Sequence, residues 1–158
     1  MQIQPYDILL YKGDSFIGNI IKFVTRSDYF HVSLAIDDIH VVEALPDGID
    51  IMHLRDSKFG YDIYRFAEIL TDNQKEKLHE FIYLKLATPY NYEEIFAELL
   101  HEELGLHIPV TSGKLICSEF VFACYLYCGI NLLPDLEEGE IITPKSIAES
   151  KLLVKVSD

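Results

Sequence analysis

The sequence predicts an α+β fold in which a central antiparallel β-sheet packs against a buried helix. Short apolar or alternating runs occupy the first half of the chain, separated by turn-forming residues such as Asp37-Asp38, a pattern typical of antiparallel strands. The run from Cys117 to Cys128 is apolar nearly all round. A helix of that composition belongs in the protein interior, packed against a sheet.

Each element has its own local signal. The predicted strands cover residues 7–10, 31–36, 40–44, 49–53, 61–66 and 152–156, and the four runs between 31 and 66 indicate an antiparallel meander. The predicted helices cover residues 16–24, 71–86, 92–104 and 117–128, with a short one after Thr143. Thr71 supplies an N-cap, Pro144 suits a first helical turn, and Gly105 and Gly129 can end helices.

Size and charge restrict the class of protein. A chain of 158 residues that is 49% hydrophobic predicts one domain over residues 1–158. The net charge of −13 argues against nucleic-acid partners and favours a soluble protein. No apolar run approaches the roughly 18 residues of an integral membrane segment. Because no signal-peptide pattern is visible, a cytoplasmic location is expected.

Cys117 is the predicted nucleophile. It stands at the start of the predicted helix, where unpaired N–H groups and the helix dipole favour the thiolate that attacks carbonyls. Cys124 and Cys128 follow on the same helix, where a disulfide is geometrically difficult, so we expect reduced thiols and structural roles for both. The alternative for Cys117 is a packing role, since free cysteines are among the most buried residues.

His31 is the predicted base and Glu43 the group that orients it. Strand alternation places His31 on the face opposite Phe30 and Val32. Glu43 lies within an apolar strand, where a carboxylate needs a partner, and it could accept the ring N–H of His31. Two alternatives stay open, namely a structural histidine within the sheet and a glutamate that faces solvent on an edge strand.

The remaining candidates are weaker. Tyr90 could line a substrate cleft, although an aromatic residue beside a proline often only packs. His101-Glu102 resembles the opening of a zinc-protease motif, but Gly105 stands where the second histidine is required. No glycine-rich phosphate loop follows the first strand. We therefore predict neither a metal site nor a cofactor.

Taken together, four segments in this order resemble one protein family. They are Thr25-x-Ser27-x-Tyr29-x-His31-Val32, Val42-Glu43-Ala44, Cys117-Ser118-Glu119-Phe120-Val121 and Ile142-Thr143-Pro144. The order is similar to that of the circularly permuted NlpC/P60 group of papain-like proteins, in the branch that includes YiiX and YebB and is related to lecithin:retinol acyltransferases. The family usually has a small residue just before its histidine and often glycine two residues after it, where this chain has Phe30 and Ser33.

The resemblance implies a papain-like α+β fold and a thiol hydrolase with Cys117, His31 and Glu43 as its site. The leading hypothesis is an amidase or peptidase that cleaves a peptide or related amide, such as a cell-wall fragment, through an acyl-enzyme. One alternative is a lipid acyltransferase or deacylase of the same fold, which differs in what enters the cleft. The other is a non-catalytic module that binds a partner through its acidic surface.

Overall fold

The structure is a computed structural model and describes residues 2–13, 27–45, 48–87, 101–105 and 116–156. It contains an antiparallel sheet and helices, so the predicted α+β class is confirmed. The six strands are β1 (Ile8–Lys12), β2 (Tyr29–Ala35), β3 (His40–Leu45), β4 (Gly48–His53), β5 (Gly60–Phe66) and β6 (Leu153–Lys155). The helices are α1 (Asp72–Ala87), α2 (Ile116–Tyr127) and α3 (Pro144–Ala148), and a 3-10 turn spans Leu54–Asp56.

The strand order is β4-β3-β2-β1-β5-β6, and every neighbouring pair is antiparallel. The predicted meander is correct for β2 to β4 but wrong for β5, which pairs with β1 instead of β4. The 3-10 turn leads the chain away from β4, and β5 then satisfies the backbone groups on the second side of β1. Local sequence patterns locate strands but do not determine which strands pair, so the sequence did not predict that β5 pairs with β1.

Strand β2 contributes to two hydrophobic clusters. Val32 and Leu34 are fully buried in the main cluster, which also contains Phe120 of α2. Ala35 belongs to a second cluster with Tyr11 of β1. Because successive side chains point to opposite faces of a sheet, hydrophobic side chains cover both faces of the sheet near its centre.

Helix α2 is the buried helix that the sequence predicted. It packs against β2 and β3, and every residue from 117 to 126 is buried. Gly129 follows it with φ of +88°, the left-handed conformation that favours glycine after a helix. Among the described residues, none of the helices is long and apolar enough to cross a bilayer.

Two helix starts also follow their predicted signals. The Oγ1 of Thr71 accepts a hydrogen bond from the backbone N–H of Gln74 at the start of α1. Thr143 and Ser146 form a reciprocal capping box at α3, with Pro144 in its first turn.

Some predictions fall partly or wholly outside the described residues. The predicted helix at residues 16–24 lies outside them. Only residues 101–104 of the predicted helix at 92–104 are described, and they are helical. Gly105 comes next with φ of +65°, as the prediction of a helix end required.

Leu34→Ala tests the packing of the sheet on α2. Because Leu34 is fully buried in the main cluster, we expect a cavity that lowers the free energy of unfolding by about 2–5 kcal/mol. The measurement is urea denaturation of both proteins. Ile69→Ala is the control, since Ile69 is 92% exposed, and its effect should stay within about 0.5 kcal/mol. Equal losses for the two variants would contradict this account.

Candidate active site

Cys117 is the second residue of α2 and lies at the end of the helix where the positive pole of the dipole is found. The first backbone N–H groups of a helix have no partner within the helix, so donors surround this position. Cys117 is 5% exposed. Cys117 is therefore a buried member of the main hydrophobic cluster.

The other two cysteines lie in different surroundings. Cys124 is fully buried, and burial raises the pKa of its thiol. Cys128 donates its S–H to the carbonyl oxygen of Tyr125 at 3.1 Å, and burial raises the pKa of Cys128 to about 11. Both thiols stay protonated at neutral pH, which agrees with the structural roles predicted for them.

His31 on β2 and Glu43 on β3 form a buried pair. The Nε2 of His31 lies 2.5 Å from the Oε2 of Glu43, and the two side chains are only 19% and 7% exposed. Strand β3 lies between β2 and β4. The alternative of a glutamate that faces solvent on an edge strand is therefore excluded.

Cys117 also lies close enough to the His31 ring for its side chain to raise the pKa of His31 by hydrogen bonding and charge. Because Nε2 is engaged by Glu43, Nδ1 is the ring nitrogen that can face the sulfur. The structure thus brings together the three side chains that the sequence singled out, from β2, β3 and α2. Their sequence positions are 31, 43 and 117, so only the folded chain makes them neighbours.

The charge state of His31 follows from these contacts. Burial alone disfavours the imidazolium and would lower the pKa of His31. The hydrogen bonds to Cys117 and Glu43, together with the negative charge of both, outweigh burial and raise the pKa from 6.5 to about 10. The raised pKa favours the imidazolium at neutral pH, beside two groups that can carry negative charge.

A bulge in β2 corrects one prediction about the surroundings of His31. Tyr11 of β1 is opposite His31, but the next residue, Lys12, is opposite Tyr29, so Phe30 is an extra residue. Phe30 packs against the same cluster as Tyr11. Its ring centroid lies 6.5 Å from that of His31, with 28° between the ring planes. The bulge interrupts strand alternation, so the prediction that Phe30 points away from His31 was wrong.

Tyr11 is a neighbour of His31 that sequence reasoning missed. Their ring centroids are 5.3 Å apart, and the Tyr11 hydroxyl lies 2.9 Å from the Oγ of Ser33. Burial raises the pKa of Tyr11 to about 12, against the opposing effect of the Ser33 hydrogen bond, so the phenol stays neutral beside the imidazolium. Nothing local in the β1 sequence identifies Tyr11, because the contact depends on the register of β1 against β2.

Other predicted site features are not located by the structure. Tyr90 and residues 112–114, which precede Cys117, lie outside the described residues. Within the described part of the chain, no three His, Cys, Asp or Glu side chains form a group that could hold a metal ion.

Comparisons with known proteins support the fold. No family model matches the chain, and no curated protein matches it. Among solved structures, the crystal structure of the metalloprotein YiiX from Escherichia coli O157:H7 aligns with a TM-score of 0.71, covering 100% of this chain and 98% of that one. The sequences are 20% identical. The chain therefore shares the YiiX fold, while assignment to the permuted NlpC/P60 papain-like proteins remains a prediction.

Glu43→Gln tests the electrostatic origin of the His31 charge state. Removing the negative charge beside Nε2 should lower the pKa of His31 from about 10 by about 1–3 units. An NMR titration of the His31 ring measures this pKa. Asp135→Asn is the control, since it removes an exposed carboxylate, and it should leave the His31 titration unchanged. An unaltered titration in Glu43→Gln would be inconsistent with the pair described here.

The same pair predicts how stability depends on pH. The pKa of His31 is raised on folding, so its contribution to stability is fully present below pH 6.5 and is lost as pH rises through about 10. We expect the free energy of unfolding to fall more steeply between these values in the native protein than in Glu43→Gln. Urea denaturation at a series of pH values measures both curves. Parallel curves would show that the pair contributes no pH dependence.

Proposed function

We propose that the protein is a cysteine hydrolase in which Cys117 is the nucleophile, His31 the general base and Glu43 the orienting group. One observation carries the proposal: the His31 ring bonds to Glu43 at 2.5 Å and lies close enough to Cys117 for that side chain to raise the pKa of His31. A nucleophile, a base and a group that orients the base, joined in this way, are typical of covalent catalysis.

The first half of the proposed reaction forms an acyl-enzyme. The Cys117 proton resides on the Nδ1 of His31, and the sulfur adds to the carbonyl carbon of the substrate, moving one electron pair onto the oxygen. The backbone N–H of Cys117 lies in the first turn of α2 and donates to that oxyanion. The tetrahedral intermediate collapses as the C–N bond breaks, and His31 gives its proton to the leaving nitrogen.

The second half restores the enzyme. His31, now neutral, takes a proton from water as the water oxygen adds to the thioester carbonyl. The C–S bond then breaks, the acid product leaves, and Cys117 again shares its proton with His31. Throughout, Glu43 holds the ring by Nε2 and stabilises its positive charge. Because His31 has partners at both nitrogens, it does not need to rotate between the two steps.

The reaction class rests on these side chains, whereas the substrate class rests on the family resemblance. The substrate we propose is a peptide or a related amide, such as a cell-wall fragment. An ester of a lipid would be attacked by the same sulfur, with an oxygen instead of a nitrogen as the leaving atom. Activity assays should therefore include both amides and lipid esters.

YiiX of Escherichia coli is a metalloprotein, which raises the question of a metal in this chain. The described residues do not fit one, since no three of their His, Cys, Asp and Glu side chains are grouped for coordination. His31 is engaged at one nitrogen by Glu43 and contacts Cys117.

Acylation by p-nitrophenyl acetate tests the proposal. We expect rapid release of p-nitrophenol with the acetyl group on Cys117, located by mass spectrometry, and slow loss of the group to water. Iodoacetamide should alkylate Cys117 about tenfold faster at pH 7 than an ordinary thiol, of which only a few per cent is thiolate. His31→Ala should remove most of that advantage.

Cys128→Ala is the matched control, since this thiol lies directly after the same helix and donates to a backbone carbonyl. It should react as the native protein does, whereas Cys117→Ala should lose both acylation and fast alkylation. Acetylation that persists in Cys117→Ala, or a Cys117 no more reactive than a free thiol, would rule out the proposed nucleophile.

A further inference from the structure

Aromatic side chains extend outward from His31. The ring of Phe30 lies beside His31 with centroids 6.5 Å apart, and Phe59 packs edge-on against Phe30 at 4.9 Å. On the neighbouring strands, Tyr11 contacts both His31 and Tyr61, at 5.3 and 5.7 Å. We call Phe30, Phe59 and Tyr61 the aromatic wall. Phe30 and Phe59 lead from the His31 ring to the protein surface, and Tyr61 is linked to His31 through Tyr11.

The wall is only partly covered. Phe59 is 37% exposed, and Phe30 and Tyr61 are half-buried. Core packing alone gives no reason to leave these aromatic rings partly exposed beside a buried ion pair, and exposed apolar patches of this kind commonly mark binding surfaces. The three side chains are uncharged and mostly hydrocarbon, which suits an apolar ring or alkyl group.

The position of Phe59 is fixed by the backbone next to it. A Cβ built on Gly13 would lie 2.6 Å from the Cδ1 of Phe59, so the ring rests directly on this glycine. Gly13 also has φ of +152°, a conformation that side chains rarely adopt. The glycine thus permits a close approach that holds the Phe59 ring against Phe30.

We propose that the aromatic wall, and Phe59 in particular, determines specificity by binding an apolar, ring-sized group of the substrate next to the scissile bond. The inference rests on the proposed function, because the wall is defined by its contact with His31. A carbonyl carbon about to react lies roughly 3–3.5 Å from the sulfur. Phe30 lies beside the His31 ring and Phe59 packs against Phe30, so a substituent that extends from the reacting carbonyl along the His31 ring meets these two rings.

Two chloroacetamides that differ only in the nitrogen substituent test the inference. N-benzyl-2-chloroacetamide and N-methyl-2-chloroacetamide carry the same electrophile. With either, the Cys117 sulfur forms a bond to the methylene carbon as chloride leaves. The measurement is the ratio of the two second-order alkylation rates, normalised to the ratio for glutathione. Burial of the benzyl group against the wall should give a normalised ratio of about ten in the native protein.

Two variants perturb the wall in different ways. Phe59→Ala removes the outer ring, and Gly13→Ala displaces it while keeping it in the chain. Both should reduce the normalised ratio towards one, and the ratio cancels any general change in thiol reactivity. Ile69→Ala removes an apolar side chain that is 92% exposed outside the wall, and it should keep the native ratio. If one variant does not fold, the other still provides the test.

The outcomes separate this inference from the proposed function. Fast alkylation by iodoacetamide with a normalised ratio near one in the native protein would overturn the role of the wall and leave the hydrolase proposal standing. A native ratio near ten that survives in Phe59→Ala or Gly13→Ala would overturn the assignment to Phe59. Slow alkylation by iodoacetamide would overturn the hydrolase proposal and this inference with it.

Discussion

The hydrogen bond between His31 and Glu43 joins two groups that are expensive to remove from water, and the candidate site is organised around it. Desolvation of an ion pair often cancels its Coulombic gain, but removing one partner leaves a buried charge and costs several kcal/mol. Glu43 is 7% exposed and its Oε2 lies 2.5 Å from the ring. The pair therefore constrains the orientation of His31 more than it stabilises the fold.

The sheet supplies the rigidity that this arrangement needs. Strand β2 lies between β1 and β3, so His31 is flanked by Tyr11 on one side and by Glu43 on the other. Helix α2 packs across β2 and β3, and its residues from 117 to 126 are all buried, Ser118 and Glu119 included, which fixes the position of its first turn. Cys117 is thus positioned by burial of the residues that follow it.

Most of the described strands and helices could be predicted, because each of them depends on a local sequence pattern. Alternation and turn residues located the strands, and an apolar run followed by Gly129 located α2. The proximity of Cys117, His31 and Glu43 was anticipated from residue chemistry and from the order of segments in a known family. What could not be predicted depends on pairing between distant strands: the place of β5, the contact of Tyr11 with His31, and the bulge at Phe30. A bulge leaves no mark in a single strand, because it is a mismatch between two.

The positions of the three thiols determine how the protein responds to oxidation by peroxide. Cys117 and Cys124 are seven residues apart on one helix, about 10 Å along its axis, which is beyond the reach of a disulfide. The chain has three cysteines in all, and Cys128 is farther still. A sulfenic acid on Cys117 would find no resolving thiol within its own chain, so repair depends on an external reductant such as glutathione, and prolonged exposure leads to irreversible sulfinic acid.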